Sequence, residues 1–323
     1  MIKEKIVNIC IPKNIIEKIL SWTYPFQLKI IIFLMDITRT LRYYIMYWGE
    51  FKWLKNIEWI EKYNISSESF DWKNKNEWIS GYSRLKNAWD FIIPTIESAI
   101  DYFDEFILVE NWSTDDTIEK CEYLVKKYPE KVKFFKYEPE IYPLYWKKFK
   151  ECPENSVHNF SYMSNYTLSK VNYKYALKID DDQIFINTNI GENLKNIRKH
   201  WMNNFIITPL INIQLLNNNF YIWNINFRST FSWLFSDIWF HPVSKRIYFH
   251  SNGITEWYVH NYKSSLWPIT FLHLKLLKPW SWFNNYDTNW LNYLKNNYKS
   301  NSFLHLEEKY IKLLHKYWIN ENW

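Results

Sequence analysis

The chain has 323 residues and a net charge of +6 from 40 Lys and Arg against 34 Asp and Glu, with 20 Trp, 25 Tyr and 22 Phe but only 4 Gly. An average composition would carry roughly 23 glycines, and no G-x-G-x-x-G, G-x-x-x-x-G-K-[ST] or G-x-S-x-G segment occurs, so any phosphate grip has to work without glycine. The cysteines Cys10, Cys121 and Cys152 lie far apart without a C-x-x-C pair and no H-E-x-x-H is present, which excludes a disulfide scaffold, a cysteine zinc knuckle and a zincin and fits a reducing compartment.

The mild positive charge suits an anionic ligand or a membrane surface, but no Lys/Arg run is dense enough to argue for nucleic acid. Residues 1–75 alternate apolar, aromatic and basic residues and form the first of three expected regions, an N-terminal helical extension. The run Ile30 to Met35 is too short to span a bilayer, which needs ~20 apolar residues. It is also not followed by the small-residue cleavage site of a secretory signal. Two readings stay open. In one, Lys29, Arg39, Arg42, Lys52 and Lys55 meet anionic lipid while Tyr44, Trp48 and Trp53 sit at headgroup depth, giving a cytoplasmic protein held peripherally on the inner face of the membrane. In the other, the segment packs on the main domain and its aromatics are ordinary core.

From Trp78 the pattern turns to alternating strands and helices. Strands are expected at Ile79–Arg84, Phe106–Glu110, Val132–Tyr137 and Tyr175–Ile179. Helices are expected at Ala88–Ile100, from Ser113 to about Lys127 with Asp116 closing a capping box, at Phe160–Lys170 and at Ile190–Trp201. This alternation predicts an α/β fold with a mainly parallel sheet flanked by helices. In such sheets ligands bind beyond the carboxyl ends of the strands. The expected division is a nucleotide-sugar-binding half over 76–205 and an acceptor-binding half with C-terminal helices over 206–323.

Two strand ends carry polar clusters. In Glu110-Asn111-Trp112-Ser113-Thr114-Asp115-Asp116-Thr117, helix capping explains Ser113, Thr114 and Asp116 but not Glu110 at the end of an apolar strand. A carboxylate there suits the N–H of a base or a ribose hydroxyl, and Asn111 suits either. In Lys178-Ile179-Asp180-Asp181-Asp182-Gln183, three consecutive carboxylates repel unless a cation or donors neutralise them. Mg²⁺ or Mn²⁺ takes oxygen ligands and bridges to a diphosphate. The alternative is a solvated turn, which the apolar run Ile184 to Ile186 argues against.

The run Tyr82-Ser83-Arg84-Leu85-Lys86-Asn87-Ala88, then FILVENWSTDDT, then LKIDDDQIFI resembles the inverting nucleotide-sugar glycosyltransferases of the GT-A fold. Within them it is most similar to family-2-like bacterial enzymes such as the Campylobacter lipooligosaccharide β-1,4-N-acetylgalactosaminyltransferases. The resemblance covers about residues 78–200, with an echo near 235–282, and not residues 1–75. It implies transfer of a hexosyl or N-acetylhexosaminyl unit from a UDP-sugar to a glycan or glycolipid acceptor. It places Arg84, Asn87, Glu110, Asn111, Asn165, Asp180, Asp181 and Lys275 around the nucleotide and its phosphates. Asp180-x-Asp182 matches the D-x-D motif, and His273 matches a late histidine, so Asp180, Asp182 and His273 are the implied ligands of Mn²⁺ or Mg²⁺. Asp237 and Glu256 are the candidate bases for the acceptor hydroxyl. Trp112 and Asp116 stand where the family usually has glycine. A two-metal nuclease or phosphotransferase and a non-catalytic sugar-binding scaffold are the competing readings.

Overall fold

The computed structural model describes residues 55–144, 146–186, 204–208, 210–216, 219–223, 239–254, 256–266, 270–274, 303–305 and 308–316, with single positions 33, 36, 37, 40, 41, 44, 194 and 277. Three 3-10 turns between Glu61 and Asn74 lead into β1 (Asn76–Leu85). Then follow α1 (Ile92–Ala99), β2 (Glu105–Glu110), α2 (Thr117–Lys127), β3 (Val132–Lys136), α3 (Lys147–Glu151), α4 (Phe160–Ser169), β4 (Tyr173–Lys178) and β5 (Gln183–Phe185). The second half adds β6 (Asn204–Ile207), β7 (Leu210–Leu216), β8 (Asn219–Trp223), β9 (Trp239–Pro242), β10 (Ile247–Ser251) and β11 (Glu256–His260). It ends with β12 (Lys263–Leu266), β13 (Phe271–His273), β14 (Phe303–His305) and α5 (Glu308–Lys316).

The main sheet has seven strands in the order β12-β6-β9-β4-β1-β2-β3. All are parallel except β9, which runs against both β4 and β6. This is the α/β architecture expected from the alternating pattern, and strands from before and after residue 205 share the one sheet. A five-stranded sheet (β14-β8-β7-β13-β5) and the β10-β11 hairpin complete the described structure.

The sequence explains the layering. β2 is buried along its whole length, as an apolar strand covered on both faces must be. On one face Ile79, Phe106 and Leu108 pack against Ile92 and Ile96 of α1 and Cys121 and Leu124 of α2. The buried positions Thr117, Cys121 and Leu124 recur at helical spacing. On the other face Tyr82, Ile107 and Val109 meet Met163 and Tyr166 of α4 and Phe249 of β10. Gly81 is a packing requirement, since a Cβ there would collide with the ring of its register partner Phe106.

Two boundaries differ from expectation. The second helix begins at Thr117, not Ser113, because residues 111–116 are used to tie down the neighbouring loop. The Ser113 hydroxyl accepts the Asn87 N–H at 3.0 Å, and Asp115, not Asp116, accepts the Thr117 N–H at 3.1 Å. The first helix is regular only over Ile92–Ala99, with 3-10 turns at both ends. The helix expected at Ile190–Trp201 lies outside the described residues apart from Leu194, which is helical.

Between sheet and hairpin lies a buried polar knot. His241 Nε2 is 3.2 Å from the Tyr82 hydroxyl and 3.1 Å from that of Tyr258. Burial pushes its pKa down to about 4. The folded protein therefore holds His241 neutral where the unfolded chain, with an ordinary pKa near 6.5, takes up a proton. The contribution of this group to stability is fully present above about pH 6.5 and is lost as the pH falls from there through about 4. Urea titrations across this window should show His241→Gln flattening the acid loss.

Candidate active site

Because β1, β2 and β4 are parallel, their carboxyl ends share one edge. Leu85 stands beside Glu110, and Tyr82 stands beside Lys178. Arg84, Glu110 and residues 178–182 thus gather where the sequence placed a ligand.

Alternation along the strands sends Arg84 and Lys178 to the α4 face. The Arg84 side chain is only 4 % exposed. It pairs closely with Glu256 at the start of β11 and with the Ser164 hydroxyl of α4. Its guanidinium lies over the rings of Phe160 at 4.4 Å and Phe249 at 5.2 Å, and Asp180 Oδ1 is 3.9 Å away. The other Glu256 oxygen, Oε2, is 2.6 Å from the Ser164 hydroxyl. Each oxygen of Glu256 thus has a partner, and the carboxylate holds Arg84 in place.

The three aspartates divide. Asp180 is half-buried, lies 3.1 Å from Lys178 Nζ, and accepts the Gln183 side-chain amide at 3.3 Å. The backbone carbonyl of Asp181 accepts the Thr95 hydroxyl at 3.0 Å, so α1 fixes the turn. Asp182 is buried, and His273 Nε2 lies 3.3 Å from its Oδ1. Strand register produces this pairing. His273 of β13 stands opposite Gln183 on β5 and beside Asn212 on β7, and the Leu274 N–H donates to the Asp182 carbonyl at 2.8 Å.

His273 Nδ1 donates to Asn212 Oδ1 at 2.6 Å. That bond fixes the tautomer and leaves Nε2 as the nitrogen facing the carboxylate. Two electron-rich atoms at this separation need a cation between or beside them, either a proton or a metal. One carboxylate oxygen and one imidazole nitrogen would suit Mn²⁺ better than Mg²⁺, which prefers oxygen ligands throughout. Among the described residues no three His, Cys, Asp or Glu converge on one point. The fit is for two protein ligands, with Asp180 held by Lys178 and Arg84 instead.

On the other face, Glu110 is buried and accepts the Ser113 N–H, so it organises the loop as well as ending the strand. Asn87 Oδ1 accepts the Thr114 N–H at 2.7 Å. Asn87, Trp89 and Trp112 all take left-handed backbone angles (φ 50°, 55° and 51°). Asn tolerates this region, whereas the two tryptophans each cost about 1–2 kcal/mol relative to glycine, and Trp112 stands where the resembling family has one. Lys86 is half-buried beside them, with burial pushing its pKa down to about 8 and Glu140 and Glu110 opposing the shift.

Two predicted residues also fasten the fold. Asn111 is fully buried and donates both amide hydrogens, to the Tyr137 and Pro139 carbonyls at 2.7 Å each. Asn165 exchanges bonds of 2.8 Å with the Phe249 N–H and carbonyl, fastening α4 to β10. Asp237 and Lys275 lie outside the described residues. Sequence reasoning missed Asn212 and Ser164. No local signal marks Asn212, because only register places β7 beside β13. Ser164 is one helical turn before Leu168 in a helix buried nearly all round, and only the fold shows that burial.

No family model matches the chain, and no curated protein matches it. Solved structures similar to it include S. aureus TarS 1–349, at 14 % identity and TM-score 0.39, covering 61 % of this chain and 60 % of that one. TarS 1–349 in complex with UDP is matched at 14 % identity and TM-score 0.37, over 75 % of this chain and 70 % of that one. Glucosyl-3-phosphoglycerate synthase from Mycobacterium tuberculosis, in complex with Mn²⁺, UDP and glucosyl-3-phosphoglycerate, is matched at 17 % identity and TM-score 0.29. That match covers 42 % of this chain and 44 % of the other. The chain spans about three fifths of the first of these in length. Likeness at this level leaves activity to be argued from the site.

Proposed function

We propose that the protein is a metal-dependent glycosyltransferase that moves a hexosyl or N-acetylhexosaminyl unit from a UDP-sugar to a surface glycan or glycolipid, with inversion. The observation that carries this reading is the Asp182–His273 pair, with His273 oriented by Asn212, at the carboxyl edge of a parallel sheet. Asp182 and His273 would hold the Mn²⁺ or Mg²⁺, which when bound neutralises the leaving diphosphate. Lys178 and Arg84 hold Asp180 in place at the same edge. Glu110, Asn87 and the loop they fasten form the proposed base and ribose wall. Asp237 and Glu256, the latter paired with Arg84, are the candidates for taking the acceptor proton. A proton shared by the pair would serve a non-catalytic scaffold equally, so metal dependence is what distinguishes the two readings. Incubation with a panel of nucleotide sugars should give UDP release that EDTA abolishes and Mn²⁺ restores. Absence of release and of binding across the whole panel would overturn the reading.

A peripheral membrane contact is part of the proposal. Phe33, Ile37, Leu41 and Tyr44 are helical and 63 %, 41 %, 55 % and 55 % exposed. Their spacing of four, four and three puts them on one helical face. Asp36, about a quarter of a turn round from the centre of that stripe, accepts the Ser264 N–H of β12 at 2.8 Å and ties the flank of the helix to the main sheet. Among the described residues no helix is long and apolar enough to cross a membrane. An apolar stripe with Arg39 and Arg42 nearby in sequence suits an anionic lipid surface. In flotation with anionic liposomes, Ile37→Asp/Leu41→Asp should reduce the bound fraction several-fold. Equal flotation of variant and wild type would assign the helix to packing alone.

A further inference from the structure

A cavity lies at the opposite edge of the main sheet from the candidate active site. Its volume is about 480 Å³, within the range of roughly 300–1,000 Å³ usual for small-molecule sites. Phe70, Trp72 and Lys73 line it from the turns before β1, and Lys245, Arg246 and Tyr262 from the far side. Pro242, also in the wall, is in register with Tyr175 near the start of β4. The five residues from Tyr175 to Asp180 separate it from the acidic turn by about 16 Å at ~3.3 Å per residue. This cavity is therefore no extension of the candidate active site.

Its chemistry is cationic with aromatic walls. Lys73, Lys245 and Arg246 form no ion pair with any described residue. Asp71 is the one carboxylate in the wall, and it accepts the Lys73 N–H at 3.0 Å. The Tyr262 hydroxyl is 2.6 Å from the Ser244 hydroxyl, which fixes the ring in the wall. Three cations against one carboxylate leave a net charge of +2 that a ligand would have to balance. Lysine and arginine side chains favour phosphate, and Trp and Tyr provide apolar area with a polar tip, which suits the mixed faces of a sugar.

We propose that this cavity binds a phosphorylated sugar, free or as a lipid headgroup, through Lys73, Lys245 and Arg246 with the ring against Trp72 and Tyr262. The proposal is independent of the activity argued above, because its readout is binding.

Calorimetric titration of the full chain with glucose 6-phosphate in EDTA tests it, since EDTA removes metal-dependent binding at the other edge. Saturable binding at about millimolar concentration or tighter is expected. Lys245→Gln/Arg246→Gln should weaken it at least tenfold, and Trp72→Phe should weaken it less while keeping the charges. UDP release should stay at the wild-type rate in both variants. Co-sedimentation with phosphatidylcholine vesicles, with and without phosphatidylinositol 4-phosphate, separates the two sources. A phosphoinositide-dependent gain lost in the double variant assigns a lipid headgroup, and glucose 6-phosphate binding without that gain assigns a free sugar phosphate. Absence of both, or equal binding by the double variant, overturns the proposal.

Discussion

Asp182→Ala should lower Mn²⁺-dependent UDP release by roughly 10²–10³-fold, the loss implied by several kcal/mol of charge stabilisation. His273→Ala should do nearly the same, since the imidazole and the carboxylate face each other at 3.3 Å. Asn212→Ala should cost less, about 10–100-fold in metal affinity, because it only orients the ring. Mn²⁺ binding measured by electron paramagnetic resonance reads the loss directly, and an unchanged thermal unfolding curve excludes a folding defect. Asp180→Asn should leave Mn²⁺ affinity within a few-fold of wild type, because its carboxylate is held by Lys178 and Arg84. Wild-type turnover in Asp182→Ala would remove the metal assignment. Strong Mn²⁺ loss in Asp180→Asn would return that residue to the ligand set.

Arg84→Met should destabilise the fold by about 3–5 kcal/mol, because it strands the Glu256 carboxylate in a buried setting. The side chains of Arg84 and Glu256 are 4 % and 12 % exposed, so solvent screens the pair little. Replacing both partners, Arg84→Met/Glu256→Gln, should recover most of the loss, since no unpaired charge is then left inside. Denaturant unfolding of the two single variants and the double variant gives the coupling directly. If Arg84→Met alone were neutral, the network would not join β1, α4 and the hairpin as the contacts indicate. Reduced UDP affinity in the folded double variant would show that the network also shapes the donor edge, through Asp180.

The alternating elements were legible because each is local. β2 reads as a continuous apolar run, and α2 shows its buried residues at helical spacing. The acidic turn after β4 was legible for the same reason, since three adjacent carboxylates after a buried strand are unusual chemistry. The start of α2 was misread because the sequence shows which residues can cap but not which loop competes for them. Asn87 takes the Ser113 hydroxyl, and that contact spans twenty-six positions.

The sequence by itself determined that the chain forms parallel βαβ units and that carboxylates collect at their ends. Periodicity and local charge suffice for both. Only the tertiary structure decided what each carboxylate does. Asp180 and Asp182 are two residues apart, yet one meets Lys178 and the other His273, because β5 pairs with a strand almost ninety residues further on. Glu256 reads as a lone carboxylate in the sequence, and the hairpin sets it against Arg84, 172 positions away. Pairing over such separations depends on strand register and on which face a side chain leaves. Neither is written in the residues flanking it.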